Sequence, residues 1–454
     1  MIIESILVSA MFGCFFLFLL TGVPVAWALS ATGFLFALIG YVLVEYFQSE
    51  IWFTWQGTIG SLDARVYGLL ANELLVALPM FIFMGIMLDR SGVAEKLMNS
   101  LTGLFSKLKG GYAVSVVIVG ILLAASTGIV GASVVLLGVL SIGPMLAQKY
   151  NKGLAVGTAS AVGVLGVIIP PSIMLVLLAD RLATPEASVG RLFMGAVVPG
   201  LLLGTFYIIY IVVSAYVRPN FAPSHNTSQK FSVRYLRGLF WAVLPALGLI
   251  FCVLGSIVAG VATTTEASAI GAAGAIVLAA FNGQLNIGVV SAALHQTSRT
   301  IAFIFGIFLG ATVFASVLRG MGGDDVIRNL IIGLPFGETG IVVCVLLLTF
   351  ILGFFLDWIE ITLIILPLVA PTVFSLGVDP VWFAVLFALC LQTSFLTPPV
   401  GPALFYVKGV CPPSVRTRDI YAGVMPFVFI QLTVLVLVFV LTDLATWLPE
   451  FVHD

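Results

Sequence analysis

Apolar runs recur throughout this chain, many of them close to the roughly 20 residues that a helix needs to cross a bilayer. A backbone polar group inside a hydrocarbon layer must be paired, so such runs fold as helices. Composition leaves them no other place. Of 454 residues, 61% are apolar and 9% are charged, against roughly 25% charged in soluble domains. So few charges cannot coat a water-exposed surface at this length. Gly (46) and Pro (21) are frequent, which suits membrane helices. The length accommodates roughly ten spans, and the fold class is an all-α polytopic membrane protein. A net charge of −1 offers no basic footprint for nucleic acid. Cys14, Cys252, Cys344 and Cys390 lie inside apolar runs and, with Cys411, form no CxxC pair; they read as buried thiols. His225, His295 and His453 are far apart in sequence, so no metal-ligand cluster is visible. Ile6 to Leu20 lacks a basic leader and runs directly into a second apolar segment, so it is expected to be a retained span.

Lys and Arg set the expected orientation. Arg218, Lys230, Arg234 and Arg237 fall in one acid-free stretch, which predicts a cytoplasmic loop. Ser106–Lys109 and Lys149–Lys152 are basic and internal by the same rule. The stretch from Glu45 to Arg65, with Glu50, Asp63 and the aromatics Tyr46, Phe47, Trp52, Phe53 and Trp55, is external and fits an interfacial belt. These assignments agree if the N-terminus is periplasmic. Between Lys109 and Lys149 lie two short apolar pieces joined by Ser126-Thr-Gly-Ile-Val-Gly-Ala-Ser133. With Lys at both ends, this predicts a re-entrant hairpin over residues 112–148, entering from inside. Ile341–Leu356 and Ile361–Leu376 repeat the pattern around Asp357-Trp-Ile-Glu360, with Glu338 and Asp379 on the flanks. That predicts a second hairpin, over 341–377, entering from outside.

Several landmarks recur at a shift near 228 residues. Pro144 pairs with Pro371, Pro170-Pro171 with Pro398-Pro399, Pro199 with Pro426, and Gly110-Gly111 falls opposite Gly340. The chain is therefore expected to hold two homologous halves, 1–217 and 218–454, in opposite orientation. Inverted repeats with interrupted helices near the midplane are a recurring transporter design.

The chemistry is expected at the breaks. Each half carries a Pro-Pro inside a long apolar segment, at Ile168-Ile-Pro-Pro-Ser172 and Leu396-Thr-Pro-Pro-Val-Gly401, giving broken helices over 153–180 and 381–407. Two consecutive prolines remove two N–H donors and free upstream carbonyls, which need partners in a membrane. A bound Na⁺ is one; neighbouring helices around a structural kink are the other. The first hairpin tip adds Ser126, Thr127, Gly128 and Ser133. The second adds Gly353, Asp357 and Glu360. An acid at membrane depth points to function, and Asp357, at the junction itself, is the better placed. Candidate Na⁺-site residues are Ser126, Thr127, Gly128, Ser133, Pro170, Ser172, Gly353, Asp357, Thr397, Pro398 and Gly401. Ser126, Ser172, Asp357 and Thr397 are also candidates for substrate. Glu266, after Thr263-Thr-Thr265, reads as a helix cap. Arg181, Arg299 and Arg319 could grip a carboxylate or lie at the interface.

Leu78-Pro-Met-Phe-Ile-Phe-Met-Gly85, Gly128-Ile-Val-Gly-Ala-Ser133, Ile169-Pro-Pro-Ser172, Leu192-Phe-Met-Gly-Ala-Val-Val-Pro-Gly200, Asp357-Trp358 and Thr397-Pro-Pro-Val-Gly401, in this order, resemble the large membrane subunit of tripartite ATP-independent periplasmic (TRAP) transporters. The resemblance covers nearly the whole chain. It implies an inverted-repeat, elevator-type, Na⁺-coupled uptake system of the bacterial inner membrane, with organic anions, mostly carboxylates, as substrates. It implies two partners, a small membrane subunit of several helices and a periplasmic solute-binding protein; the chain looks unfused to either. It places one Na⁺ between the first hairpin tip and Pro170–Ser172, and a second between Gly353–Asp357 and Thr397–Gly401. One departure stands out. Thr264 occupies the proline position of the family's Ala-Thr-Pro-Thr-Glu-Ala, which removes a preset helix start.

These readings predict a mobile transport domain of the two hairpins and two broken helices. Ile6–Leu20, Val25–Tyr41, Leu239–Val258 and Ala267–Ala280 belong to a fixed scaffold. Na⁺ is expected to order the tips and complete the site for a substrate anion. The alternatives are a stand-alone ion-coupled anion symporter of similar architecture, a polytopic membrane enzyme, which the absence of clustered His or carboxylates disfavours, and a passive channel.

Overall fold

The structure, a computed structural model, describes residues 2–47, 53–127, 130–224 and 233–453. Gly128 of the first tip and the loop residues Glu50, Trp52, His225 and Lys230 lie outside them, as do the side chains of Ser126, Thr127 and Arg234. Among the described residues the regular structure is helical throughout: α1 (Ile2–Leu20), α2 (Val25–Glu45), α3 (Trp55–Thr58), α4 (Leu62–Leu70), α5 (Glu73–Arg90), α6 (Val93–Leu104), α7 (Gly111–Thr127), α8 (Val130–Ala147), α9 (Lys152–Val164) and α10 (Ile173–Leu182). There follow α11 (Val189–Val217), α12 (Val233–Val258), α13 (Thr264–Phe281), α14 (Ile287–Gly320), α15 (Gly323–Ile332), α16 (Glu338–Leu352), α17 (Trp358–Phe374), α18 (Pro380–Leu396), α19 (Pro402–Val410), α20 (Thr417–Val440) and α21 (Asp443–His453). Short 3₁₀ turns sit at Leu165–Val167 and Pro185–Ala187. Among the described residues seven helices are long and apolar enough to cross a membrane, or eight if Trp55–Leu70 and Glu73–Arg90 form one bent span. Helices α7–α8 and α16–α17 fall where the two hairpins are expected, and α9–α10 and α18–α19 are helices interrupted where the two breaks are expected. Of the first hairpin's arms, α8 reaches 18 residues, longer than its sequence suggests.

The chain forms two compact units. The first comprises Met1–Leu75, Ser298–Leu348 and Leu356–Asp379; the second comprises Val76–Thr297, Thr349–Phe355 and Pro380–Asp454. Each draws on both sequence halves, and the boundary follows neither the halves nor the expected scaffold–transport division.

In the first unit, α1 packs on α2 and α15, and α15 on α17. Phe12 and Phe15 of α1 meet Phe314 of α14 at ring-centroid distances of 5.5 and 5.7 Å. Gly310 lets α14 approach α2, since a Cβ there would lie 2.5 Å from the Ala26 carbonyl oxygen.

In the second unit, α9 is almost wholly enclosed; every residue from Leu154 to Val164 is buried. Its small residues explain how. A Cβ on Gly157 would lie 2.1 Å from the Gly423 carbonyl oxygen, and one on Gly423 2.1 Å from that of Gly153. Backbones of α9 and α20 therefore touch directly, the small-residue packing that membrane helices use in place of hydrophobic drive. On its other sides α9 meets α7 and α8. There Gly120 faces Val162 (1.8 Å from an added Cβ to Cγ1) and Gly163 faces Val134 (2.6 Å).

Long helices serve as rulers in this unit. The α9 start, at Gly153, lies against Asp419 and Gly423 in the first turns of α20. The α18 start lies at the other end of α20, where the Trp382 indole donates to the Val438 carbonyl at 2.8 Å. The same Trp382 end of α18 meets the first turns of α11, where Gly195 contacts Val381. The two broken helices thus enter from opposite ends and run in opposite directions. Near the α9 start, Gly110 and Asn151 donate backbone N–H groups to the carbonyls of Ala222 and Phe221 at 3.0 and 2.9 Å, and Lys152 donates to the Ser414 carbonyl at 2.6 Å. The basic segments around 107–109, 149–152 and 218 therefore share one end, as the charge reading requires.

A buried polar pair locks α11 to α20. The Gln431 amide donates to the Tyr207 hydroxyl at 2.8 Å, and Phe427 sits edge-on to Tyr207 and Tyr210 at 5.1 and 5.2 Å. Tyr207→Phe leaves that amide donor without its acceptor. The expected cost is about 1 kcal/mol, the scale of interhelical hydrogen bonds in membranes. It is read as a lower thermal midpoint of the detergent-purified protein, and Gln431→Leu in the same chain restores part of it.

Candidate functional site

The first break follows from its prolines. α9 ends at Val164, one 3₁₀ turn carries the chain to Val167, and Pro170-Pro171, joined by a cis peptide, cannot continue the ladder. Pro171 offers no N–H to the Val167 carbonyl four residues back. The Ser172 hydroxyl takes that place, donating to Val167 O at 2.6 Å. Ser172 is fully buried and precedes α10 in extended geometry. The break lies deep in the unit: Ile169 fits against Gly200, 3.0 Å from an added Cβ, near the middle of a helix about 44 Å long at 1.5 Å per residue. Ser133, buried in the first turn of α8, is next to Val134, whose backbone rests on Gly163. The structure therefore brings Ser133 to the last turn of α9, just upstream of Pro170 and Ser172.

The second break is built differently in detail. In α18 the Thr393 hydroxyl donates to Leu389 O and the Thr397 hydroxyl to Thr393 O, both at 2.7 Å. Pro398-Pro399, again cis, removes the donors due to Ser394 O and Phe395 O. The chain then turns so tightly that a Cβ on Gly401 would lie 2.4 Å from Phe395 O and 2.9 Å from Thr397 O. Only glycine leaves room there. The Tyr421 hydroxyl donates to Pro399 O at 2.9 Å. The tip after α16 sits directly on this helix. Gly353 is 2.5 Å, measured from an added Cβ, from the Ser394 hydroxyl oxygen, and that hydroxyl donates to Phe350 O at 2.7 Å. Gly353, Thr397, Pro398 and Gly401 thus lie in the second unit, and the tip meets the helix at Ser394.

Asp357 belongs to the first unit. It caps α17, accepting from the Trp358 N–H at 2.8 Å, while the Glu360 carboxylate accepts from the Asp357 N–H at 2.7 Å. Both acids of the second tip therefore have a capping role, and the Asp-x-x-Glu spacing carries that signal in the sequence. Glu266 behaves as expected. It forms a capping box with Thr263 (2.8 and 3.2 Å), and α13 starts at Thr264 without the proline. Arg181 pairs with neighbouring Asp180 at 2.5 Å and Arg319 with Asp324 at 3.7 Å.

Two residues escaped the sequence reading. Ser394 fastens the tip to α18. Gln392 is fully buried, with neither amide atom hydrogen-bonded within the chain. The available signal was a run of polar residues, Gln392-Thr-Ser394, inside an apolar segment that ends in a double proline.

Over residues 12–444 the sequence matches the family described as the tripartite ATP-independent periplasmic transporter, DctM component. The chain belongs to this family. Among curated TRAP proteins it is 27% identical to the C4-dicarboxylate TRAP transporter large permease protein DctM of Vibrio cholerae, covering 95% of each chain. It is 26% identical to the sialic acid large permease protein SiaM of the same organism, covering 98% of each. It is 28% identical to the isethionate permease protein DctMQ of Oleidesulfovibrio alaskensis, covering 94% of this chain but 64% of that longer protein. The crystal structure of the Alcanivorax borkumensis YdaH transporter shares the fold, with a TM-score of 0.61 at 15% identity over 86% of this chain and 88% of that one. The TRAP large subunit is a transporter component and not an enzyme, and its multi-pass helical fold agrees with that assignment.

Proposed function

We propose that this TRAP large subunit imports an organic acid anion across the bacterial inner membrane, driven by Na⁺, with its N-terminus in the periplasm. The relatives' substrates named above, C4-dicarboxylates, sialic acid and isethionate, have a carboxylate or sulfonate group in common, and a small carboxylate is the substrate class put forward here. A periplasmic solute-binding protein delivers it, and a small membrane subunit completes the carrier; the DctMQ permease is one relative whose length leaves room for such a partner. The observation that carries the reading is the pair of double-proline breaks on oppositely directed helices, the second at the end of the helix on which the Gly353 tip rests. Oxygen-rich, proton-poor backbone of this kind suits a hard monovalent cation. Ser133, Pro170 and Ser172, with Ser126, Thr127 and Gly128, are assigned to one Na⁺. Gly353, Thr397, Pro398 and Gly401, with Asp357, are assigned to the other. Ser126, Ser172, Asp357 and Thr397 are assigned to the substrate, with the unpaired Gln392 amide as a further polar group for a solute or water. Neutralising charge before the mobile part crosses the bilayer lowers the cost of movement, and an elevator of the hairpins and broken helices is the movement proposed. Uptake of labelled dicarboxylates into proteoliposomes containing all three subunits tests this. Collapse of the inward Na⁺ gradient at constant membrane potential is expected to stop accumulation, and unchanged accumulation defeats the coupling.

A further inference from the structure

A cleft of about 690 Å³ opens between α6, α12 and α13, all within the second unit. That volume falls inside the range of small-molecule sites, yet the transport reading makes no use of it. Its lining changes along the helices. Pro245 of α12 and Val277 of α13, with Leu278 and Phe281, give an apolar wall on the side of the spans. The mouth is polar, with Lys96 and Asn99 of α6 and Asn282 beyond α13. This change coincides with the membrane boundary in the sequence. The apolar stretch of α12 begins at Val243 and the span of α13 ends at Phe281. Trp241, 62% exposed, stands at that level, where indole rings favour the headgroup layer.

The mouth has one sign of charge. Among the described residues lining it, Lys96 is the sole ionic group and no carboxylate faces it. The Lys96 ammonium is held by the Asn282 side-chain oxygen at 2.7 Å, which leaves two of its three donors for a ligand. Exposed Arg237 adjoins the lining residue Gly238. The Tyr235 hydroxyl donates to the Ser100 carbonyl and ties α12 to α6 beside the mouth.

We infer that this cleft is a binding site for an anionic phospholipid, with its headgroup phosphate at Lys96 and Asn282 and an acyl chain against Leu278, Val277 and Pro245. The charge at the mouth, the apolar wall and the position at the boundary of two spans select this ligand over a soluble anion, which would leave that wall wet, and over a zwitterionic lipid, which would leave Lys96 less well matched.

The test is native mass spectrometry of the delipidated full-length protein titrated with phosphatidylglycerol or phosphatidylcholine. The first bound phosphatidylglycerol is expected to be about fivefold tighter than phosphatidylcholine, the scale set by one Lys near a lipid headgroup. Lys96→Gln is expected to bring the two lipids to parity. Val277→Trp, which enlarges a side chain in the cleft wall, is expected to lower first-site occupancy of both. Lys149→Gln, an exposed lysine outside the cleft, serves as the control and keeps the preference. Equal affinity for the two lipids in the unaltered protein overturns the inference. So does an effect of Lys149→Gln as large as that of Lys96→Gln, or full occupancy in Val277→Trp.

Discussion

Replacing Gly423 with leucine is expected to remove the folded carrier from detergent extracts, whereas leucine at Gly143 is expected to leave it intact. An added Cβ at Gly423 meets the carbonyl oxygen, carbonyl carbon and Cα of Gly153 at 2.1, 2.6 and 2.7 Å. These are backbone atoms of a rigid helix, so no rotamer change relieves the contact. α20 must retreat from α9, and α9 has little of its own to fall back on, because the whole stretch Leu154–Val164 depends on neighbours for burial. Overpacking typically costs 1–3 kcal/mol. A clash between two backbones lies at or above the top of that range, about 3 kcal/mol or more, a large share of the roughly 5–15 kcal/mol that holds a domain together. Gly143 has no atom within 4 Å of an added Cβ. Fluorescence-detected size exclusion separates the outcomes: a void or missing peak for Gly423→Leu, and a monodisperse peak for Gly143→Leu. A normal profile and midpoint for Gly423→Leu would refute the direct backbone seam.

The second large effect is expected at Gly401, and it separates folding from transport. Alanine there drives a methyl group to 2.4 Å from Phe395 O and 2.9 Å from Thr397 O, so the turn after Pro398-Pro399 must open and carry those oxygens away from their present positions. The rest of α18 is anchored elsewhere, by Trp382 to α20 and by Ser394 to the tip, so the protein is expected to extract and run normally. If these oxygens serve Na⁺, the concentration giving half-maximal uptake rises about tenfold, equivalent to about 1.4 kcal/mol of lost binding. Gly409→Ala, in the short α19 that follows, with open space around it, is expected to change nothing. A Gly401→Ala carrier with an unaltered Na⁺ response would remove this turn from the ion site.

What the sequence made legible follows from covalent constraint. Proline imposes its geometry wherever it stands, so the matched pairs at 170–171 and 398–399 announced two breaks before any packing was known, and the structure has both. The small, polar stretch from Ser126 to Ser133 marked where α7 ends and α8 begins for a similar reason. Partnerships across the chain were illegible. Gly153, Gly157 and Gly423 read as ordinary membrane composition, because nothing local tells a glycine that faces lipid from one that faces another backbone. The cleft beside Lys96 depends on three helices whose meeting no spacing reveals. Asp357 illustrates a missed local signal: its place at the tip suggested an ion path, while its spacing to Glu360 also described the cap it forms.

The seam between α9 and α20 also has a consequence for biogenesis. With 13 residues and two hydroxyl side chains, α9 is not among the helices long and apolar enough to cross a membrane. Its main cover is one of the last elements to leave the ribosome, for about 250 residues separate Val164 from Thr417. At roughly 5–20 residues per second, that delay lasts on the order of 10–50 seconds. Throughout it the nascent chain must keep α9 sheltered, by α7 and α8 or by the insertion machinery, and truncation before Thr417 leaves a half-built polypeptide for the cell's membrane proteases.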